Sequence, residues 1–445
     1  MEPGGVKCAP VPDWCIEGTE FHHANEEEEM RGRSVLLCLL IVAMVFLGAS
    51  RPGFGAGFAL YEGSARGNAL GGTLVGRADD PSALFYNPAG MTQLEGIQMM
   101  AGLTAIIPST DVKFVGASYG TKDNVWLAPH FYATYQFSDR LWFGVGLFSP
   151  FGLGTEFDSD WPGRFSNYNA VIQTLNFNPN VALKLNDQFS IAAGFDIMWF
   201  DLKLEQSVAD LSGYGLGIID QDLSGSSFGY GFNLAMHYRA CDWLRLGISY
   251  RSQVKQHVDG NVEFSPNVSF YPFNFVNMDG SGTITLPDEL FFGATFYPMP
   301  NLSFEVGAVW TRWSTYNALT IQYEEPIVGP TSTVTREKQW EDVWRIQFGV
   351  EYKVCEWLDL RAGYVFDQEP SVDKYVDYLV PANDRHLFNF GPGFHWGNWT
   401  TDLSYTYLLI EDRDVSDSEA SGFIRPSQFR NGHAHLIGIS VGYKF

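Results

Sequence analysis

One pattern recurs six times along the chain: an alternating apolar run, a polar residue at a tight β-hairpin corner, and a second alternating run that ends in glycine and an aromatic residue. The corners lie roughly 40 to 60 residues apart, which accommodates two strands of about ten residues and one long loop, the asymmetry of outer-membrane barrels. Six corners join twelve strands, and one strand before the first hairpin and one after the last give about fourteen. The corners fall at Asp139, Asp187, Asp242, Asn301, Glu356 and Asn398.

The end of the chain has the same alternation. Its last ten residues read LIGISVGYKF, with Ile439 and Val441 on one face and Ser440 on the other. A period of two is that of a β-strand. A last strand that ends in an aromatic residue, here Phe445, resembles the signal by which barrel-assembly machinery recognises its client proteins. The sequence therefore predicts an all-β fold, a transmembrane antiparallel β-barrel of about 14 strands, with a soluble β-sandwich as the alternative.

Composition agrees with a barrel. The chain has 445 residues and is 45% apolar, yet its mean hydropathy is only -0.09. A barrel places apolar residues at every second position rather than in long runs, so hydropathy understates its residence in a membrane. The net charge of -23 argues against a nucleic-acid partner, whose phosphates require a basic surface. The acidic run at residues 411–419 is expected to be a solvated loop at the cell surface, where divalent cations are available.

The N-terminal region predicts a secretory signal. Residues 35–47 form an apolar stretch preceded by Arg31 and Arg33, too short to span a membrane and correctly built for a signal peptide. Four glutamates just before Met30 would oppose the basic region of the signal, so we expect translation to start at Met30. Residues 1–55 are thus predicted to be the signal-peptide region.

The segment that follows, residues 56–96, is rich in small residues and lacks the alternation of a strand. The lumen of a fourteen-stranded barrel is wide enough to leak unless it is filled. A compact segment of this length is suited to be a plug, and its Phe58, Leu84, Phe85 and Tyr86 argue against the alternative, a disordered periplasmic tail. The expected organisation is a hatch over residues 56–96 and a barrel over residues 97–445.

The predicted plug begins with AGF and contains Asp79, Asp80, Asn87, Pro88 and Ala89. The predicted barrel contains FGLGTEFDSDWPGRF at 151–165, LNFNPNVALKLND at 175–187, SYRSQVK at 249–255, LPDELFFG at 286–293, TRWSTY at 311–316, RAGYVFDQEP at 361–370 and NDRHLF at 383–388. In this order and spacing, these motifs resemble the FadL family of outer-membrane long-chain fatty acid and hydrocarbon transporters. The resemblance implies a fourteen-stranded barrel with an N-terminal hatch and passive uptake of hydrophobic compounds such as long-chain fatty acids, or of hydrocarbons alone.

The family resemblance also implies a route. Lipopolysaccharide resists apolar diffusion, so extracellular loops capture the hydrophobic molecule, a luminal pocket receives it, and it is released sideways beside an inward kink in the third strand. In this chain the kink maps to Ser149, Pro150, Gly152 and Gly154. Proline cannot donate a ladder hydrogen bond and glycine tolerates the geometry of a bulge, although a loop that simply begins here would have the same composition.

Candidate binding residues follow from this route. Capture of the substrate is expected at apolar side chains exposed by the loop that follows the kink. The alternative is that the same side chains pack the extracellular loops against each other. A second candidate group, in the glycine-rich loop near Gly213, is Leu211, Tyr214, Leu216, Ile218 and Ile219. The first group is Phe151, Leu153, Phe157, Trp161 and Phe165.

A carboxylate substrate would require cationic partners in the luminal pocket. Lys203, Arg336 and Lys338 are the candidates. Asp201, however, occupies a position where the resemblance implies a basic residue in a fatty-acid carrier, which argues against a free carboxylate substrate and keeps neutral hydrocarbons open. Lys203 and Arg336 could instead pair with Glu205 and Glu337 on solvated faces.

The sequence has no HExxH and no paired CxxC. It matches GxSxG at residues 116–120, 225–229 and 438–442, but these matches lie in segments without a helical pattern, whereas a nucleophile elbow requires a strand followed by a helix. We expect no catalytic residues, no cofactor and no metal, although His433 and His435 share a strand face. Cys241 and Cys355 lie in different corners, too far apart for a disulfide. Two alternatives of another class are an outer-membrane phospholipase-type barrel and a general porin, and neither requires a forty-residue plug.

Overall fold

The structure is a computed structural model that describes residues 57–445 except 115, 417 and 421–423. The predicted signal peptide, residues 1–55, lies outside the described residues. Nearly all described strands belong to one antiparallel sheet. Among the described residues, no helix is long and apolar enough to cross a membrane.

Fourteen described strands follow one another around this sheet, several of them interrupted. In chain order they are β1 (Ile97–Phe114), β2 (Trp126–Gln136), β3 (Leu141–Phe148 and Gly152–Glu156), β4 (Asn169–Lys184), β5 (Phe189–Asp210), β6 (Ile218–Cys241), β7 (Leu244–Arg251 and Val254–Ser265), β8 (Met278–Leu286 and Glu289–Met299), β9 (Leu302–Thr311 and Ala318–Tyr323), β10 (Thr333–Glu337 and Val343–Cys355), β11 (Leu358–Asp367), β12 (Arg385–Trp396), β13 (Trp399–Ile410) and β14 (Ser427–Lys444). Short strands at Ala117–Gly120, Val268–Phe270, Phe273–Phe275 and Arg413–Val415 belong to the loops.

The sheet closes on itself. Each strand pairs with its sequence neighbours, and β1 pairs with β14 from Gln98 opposite Lys444 to Lys113 opposite Gln428. All six predicted corners fall in the short connections, between β2 and β3, β4 and β5, β6 and β7, β8 and β9, β10 and β11, and β12 and β13. The predicted fourteen-stranded barrel is confirmed, and the alternative of a soluble sandwich is wrong.

The outer face is apolar, as a lipid-facing surface requires. On β6, Phe228, Tyr230 and Phe232 are exposed, whereas Asn233, the next residue, is buried on the inner face. The same alternation on β14 exposes Ile439 and buries Ser440. Burial thus follows the period of two that the sequence predicted.

The segment expected to plug the lumen is folded and enclosed by the wall. None of residues 57–94 is exposed. It contains two short helices, α1 (Ala65–Ala69) and α2 (Ala83–Tyr86), and a 3-10 turn at Pro88–Gln93. Ser64 caps α1 by accepting a hydrogen bond from the Gly67 amide at 3.0 Å, and Asn87 caps the 3-10 turn by accepting from the Ala89 amide at 3.2 Å.

Hydrogen bonds join this hatch to strands on all sides of the barrel. The Ala65 amide donates to Ser440 Oγ on β14 at 2.8 Å, the Gly76 amide to Glu305 Oε1 on β9 at 2.8 Å, Asn87 Nδ2 to Met236 O on β6 at 3.0 Å, and Trp142 Nε1 of β3 to Leu94 O at 2.7 Å.

Two wall glycines allow the hatch backbone to approach closely. A methyl group at Gly247 of β7 would lie 2.0 Å from Val75 O, and one at Gly293 of β8 would lie 2.5 Å from Gly76 N. Both distances are too short for any side chain. Because the two glycines are cross-strand partners, together they form one continuous depression in the inner wall, where the hatch backbone lies.

We predict that Ile439→Arg lowers the free energy of unfolding by about 2 to 4 kcal/mol, because it moves a charge into the lipid near the midplane of the bilayer. Val328→Arg is the matched control: the two side chains are 41% and 40% exposed, but Val328 lies in an extracellular loop. Its replacement should change stability by less than about 0.5 kcal/mol. Reversible unfolding in lipid vesicles measures both, and equal effects would mean that Ile439 does not face lipid.

Candidate functional site

Strand β3 is broken by a bulge. Phe148 pairs with Asn176 of β4, and pairing resumes at Gly152 opposite Gln173. Three residues of β3, 149–151, therefore oppose two of β4, 174–175. Such a bulge bends the strand and reverses which residues face inward beyond it. Ser149, Pro150, Gly152 and Gly154, the predicted kink, lie at or just beyond it.

The beginning of the hatch pairs with this bulge. The Leu60 amide donates to Pro150 O at 2.8 Å, and the Gly152 amide donates to Phe58 O at 2.9 Å. Ala59 and Phe151 form an antiparallel bridge between these two bonds. Residues 58–60 thus act as a short strand that covers the broken part of β3 from inside.

Phe151 lies in the interior rather than in a capture loop. Its ring centroid is 6.2 Å from those of Phe58 and Trp313, and Phe58 also contacts Trp340 at 5.7 Å. Phe58, Phe151 and Trp313 are buried. The hatch N-terminus and the bulge therefore share one aromatic core.

An apolar cavity opens beside this core. It contains about 820 Å³ of space not occupied by atoms, part of which is open to solvent. Leu153, one of the predicted substrate-binding residues, lines it, so the structure places this residue at a cavity rather than on an exposed surface. The lining includes Phe58, Leu153, Ile172, Leu204, Val258, Ile284, Leu319, Trp340 and Leu379.

Lys338 is the one charged side chain among the described residues that line this cavity. It is buried, and its Nζ donates a hydrogen bond to the buried carboxylate of Asp377. Arg336 is buried nearby, where it donates to Gln206 Oε1 and, at 2.9 Å, to Ser166 O. Its Nε has no hydrogen-bond partner among the described residues. The Arg336 and Lys338 that the sequence indicated therefore lie in the interior together.

Lys203 lies elsewhere. It is on the outer face of β5, where its Nζ is 3.2 Å from Glu205 and 3.5 Å from Asp222. This is the pairing with Glu205 that the sequence left open. Asp201 shares the outer face, so its position does not bear on the luminal charge.

Phe157 and Trp161 are buried, not exposed. Their rings stack with centroids 3.9 Å apart, and they pack with Phe114, Tyr378 and Phe429 from other extracellular segments. The alternative in which these side chains join the loops to each other therefore describes them better. Phe165 is half-buried, with the Arg164 guanidinium 5.8 Å from its ring centroid.

An exposed apolar group is found at the second predicted loop instead. Tyr214 is exposed and contacts Phe270 and Phe273 at centroid distances of 5.5 and 6.2 Å. The latter two belong to a small extracellular hairpin whose tip, Tyr271, is 92% exposed. No sequence pattern indicated this hairpin, because its strands have only three residues each.

At the other end of the lumen the hatch is held by charge. Glu351 of β10 accepts hydrogen bonds from Arg66 at 3.1 Å and Arg77 at 2.7 Å, both in the hatch, and from Arg361 of β11 at 2.7 Å. All four side chains are largely buried. These contacts link the hatch to the wall, and no sequence pattern indicated them.

The predicted hatch residues Asp79 and Asp80 extend this network. Arg66 Nη1 donates to Asp79 Oδ1 at 2.7 Å and to Asp80 Oδ2 at 2.9 Å. Burial alone would raise the pKa of Asp79, but the charges of Arg66 and Arg77 outweigh it and hold that pKa below its usual value. A charged cavity lies here, lined by Arg66, Glu351, Arg361 and Asp402 and reaching the corner residues Asn301 and Asn398.

The remaining predicted hatch residues are structural. Besides capping its turn, Asn87 donates from Nδ2 to Val75 O at 2.8 Å, so it joins two parts of the hatch as well as the hatch and β6. Pro88 and Ala89 begin the 3-10 turn. The Ala89 carbonyl accepts a hydrogen bond from Ser190 of β5 at 3.0 Å.

Phe445 is exposed at the end of the chain, and its amide donates to Ile97 O at 2.9 Å. No group of His, Cys, Asp and Glu among the described residues could hold a metal ion, and Cys241 and Cys355 are free.

Comparison with known proteins agrees with this architecture. A family model described as outer membrane protein transport protein (OMPP1/FadL/TodX) matches residues 47–445. The long-chain fatty acid transport protein of Escherichia coli K12 is 24% identical, covering 91% of this chain and 98% of that protein, and outer membrane protein P1 of Haemophilus influenzae is 22% identical with the same coverage.

Solved structures share the fold. A Pseudomonas aeruginosa FadL homologue has a TM-score of 0.75 at 20% identity, covering 88% of this chain and all of that one. The Pseudomonas putida toluene transporter TodX has a TM-score of 0.68 at 18% identity, covering 89% and 100%.

We predict that Glu351→Gln loosens the hatch. Removing this carboxylate leaves three buried guanidinium groups without their shared partner, which should cost about 3 to 5 kcal/mol. Chemical unfolding and ion conductance in planar bilayers measure the two consequences, lower stability and a leaking lumen. Glu411→Gln is the control, because Glu411 forms an exposed pair with His386 at 2.9 Å and should cost less than about 1 kcal/mol. Unchanged stability together with a closed lumen would contradict the role given to Glu351.

Proposed function

Because this chain belongs to the outer membrane protein transport protein family (OMPP1/FadL/TodX), we propose that it carries fatty acids, and with them neutral hydrocarbons, from the cell surface into the outer membrane. The barrel is a bacterial outer-membrane protein, and its family consists of transporters of hydrophobic compounds. Lipopolysaccharide and the barrel-assembly machinery remain predicted partners.

The apolar cavity with a single ammonium group is the observation that supports a fatty acid. Its walls suit an acyl chain, whose burial is favourable by about 0.8 kcal/mol per methylene group. Lys338 supplies one cation at this cavity, and Arg336 lies behind it. Asp377 already neutralises Lys338, so a carboxylate substrate competes with Asp377, whereas a neutral hydrocarbon does not.

The route begins at the exposed aromatic group around Tyr214. Beneath it, the extracellular segments bury a second apolar cluster that includes Leu211, Leu223 and Phe264. Leu223 also lines the cavity, so apolar contact is continuous from the surface inward. Capture would therefore occur at this group, while the Phe157 and Trp161 pair supports the loops.

Release occurs beside the bulge of β3. Phe58 lines the cavity, and its carbonyl accepts the hydrogen bond from Gly152. A substrate that displaces Phe58 breaks the pairing of residues 58–60 with the bulge and uncovers the wall. The charged contacts of Glu351 hold the rest of the hatch, so the opening is sideways, into the membrane.

Transport rather than catalysis is the role we propose, with no cofactor. A general porin would leave its lumen open to water, whereas here the described part of the hatch fills it. For the phospholipase-type alternative, no histidine is among the described residues that line the cavity, and the His130–Ser440 pair, 2.8 Å apart, is buried on the inner face rather than at the outer wall.

We predict that Lys338→Met weakens binding of a long-chain fatty acid by about 1.5 to 3 kcal/mol, the usual worth of a hydrogen bond to a charged group. Binding of an alkane of equal length should be nearly unchanged. Asp377→Asn is the complementary variant: it removes the competing carboxylate, so fatty-acid affinity should rise. Calorimetric titration of the purified barrel tests both. If the two ligands respond alike, charge does not contribute to recognition.

We predict that deleting Pro150 abolishes uptake while leaving binding intact. The deletion leaves two residues of β3 opposite two of β4, which restores one-to-one pairing and straightens the wall. Pro150→Ala keeps the bulge at its present length and should retain uptake. Uptake of a labelled fatty acid into cells, together with titration of the purified variants, provides the measurement. Normal uptake by the deletion variant would exclude release beside the bulge.

A further inference from the structure

The bulge leaves a gap between β2 and β3. The two strands pair only as far as His130 opposite Phe148. Beyond that point the second part of β3, Gly152–Glu156, pairs with β4, and among the described residues it has no strand partner on the β2 side. The wall is therefore interrupted between the first residues of β2 and the second part of β3.

The gap is closed again at its upper end. The Lys122 amide donates to Glu156 O at 2.7 Å, and Lys122 Nζ and Asn124 Nδ2 each lie 2.8 Å from a carboxylate oxygen of Glu156. The interruption is thus a window with two fixed ends, His130 with Phe148 below and Lys122 with Glu156 above.

Trp126 fills this window. It is the first residue of β2, and its indole crosses to β3: a methyl group at Gly154 would lie 2.1 Å from Cε2 of the indole and 2.4 Å from its Nε1. Only glycine leaves room for the ring at that position. The indole Nε1 is itself buried and has no hydrogen-bond partner among the described residues.

We propose that Trp126 is the gate residue of the wall, and that its indole sets the cross-section of the molecules that leave. This inference rests on the proposed sideways release. It goes beyond it by naming a specificity-determining residue outside the bulge.

An unpartnered indole is suited to this role. A buried Trp N–H usually has an acceptor, and a ring held by one would lose that hydrogen bond each time it moved. The Trp126 ring is held across the gap by packing against Gly154 and can turn without breaking a hydrogen bond. The two ends of the window, in contrast, are held by backbone pairing and an ion pair. The width of the opening therefore depends on the orientation of the Trp126 ring and not on the ends of the window.

The test compares molecules of different width. Trp126→Ala should raise the uptake rate of a polycyclic hydrocarbon several-fold relative to a linear alkane, and Trp126→Phe should give an intermediate ratio. Trp344→Ala is the matched control, since Trp344 is an exposed wall tryptophan on β10, away from the window. Its ratio should equal that of the unchanged protein. If the ratio of the polycyclic to the linear uptake rate is the same in all four proteins, the proposal is overturned. A merely structural role of Trp126 would give this result, because it would lower both rates without changing their ratio.

A blocking experiment separates this inference from the proposed function. Trp126→Cys is made in a protein whose Cys241 and Cys355, the two cysteines outside the predicted signal-peptide region, are serine, and the new thiol is modified with a bulky maleimide. If release is sideways and Trp126 lies in the gate, modification stops uptake of every width while binding of the fatty acid persists. Uptake that continues after complete modification overturns the gate. If deletion of Pro150 also leaves uptake unchanged, sideways release itself fails; if that deletion stops uptake, only the assignment of Trp126 fails.

Discussion

Three guanidinium groups contact the one carboxylate of Glu351, and this contact holds the lower part of the hatch to the wall. Arg66 and Arg77 come from the hatch and Arg361 from the wall, and all are largely buried. Partners at short range in a low dielectric hold each other strongly, and separating them would leave buried charges uncompensated. The lower part of the hatch is thereby fixed, and the hatch backbone fits against glycines of β7 and β8 that no larger residue could replace.

The upper part of the hatch is held differently. Residues 58–60 contact the bulge of β3 through two backbone hydrogen bonds and a group of aromatic rings, with no ion pair among their described contacts. The aromatic contacts can be exchanged for those of an apolar substrate at little net cost, because one apolar surface replaces another, and only the two backbone hydrogen bonds have to be broken. A hatch anchored by charge below and by apolar contact above suits a carrier whose cargo is itself apolar.

The sequence predicted the barrel because its information is local. A period of two with a polar corner can be read within a dozen residues, and each corner at Asp139, Asp242 or Asn398 could be found without knowing what faces it. The bulge could also be predicted locally, because Pro150 cannot donate a ladder hydrogen bond and the glycines after it tolerate the geometry of a bulge. The contacts inside the lumen were harder to predict from the sequence.

Interior contacts join residues far apart in the chain, and alternation alone does not tell which face is inward. Lys203 is a basic residue of the kind expected in the pocket, but the alternation along β5 places it on the outer face. The partner of Lys338, Asp377, follows it by thirty-nine positions in an irregular segment. Phe157 and Trp161 read as an exposed group because the segments that bury them, around Phe114 and Phe429, come from other loops.

Mapping where the cargo contacts the wall tests sideways release most directly. A fatty acid that carries a photoreactive diazirine near its methyl end would be activated in intact cells during uptake, and the modified peptides identified by mass spectrometry. Sideways release predicts modification at Phe58 and Leu153 in the cavity, and at residues on both sides of the window, with none in the charged space around Arg361 and Asp402. Modification of that charged space in the unchanged protein would show that the cargo passes down through the hatch and would contradict release through the wall.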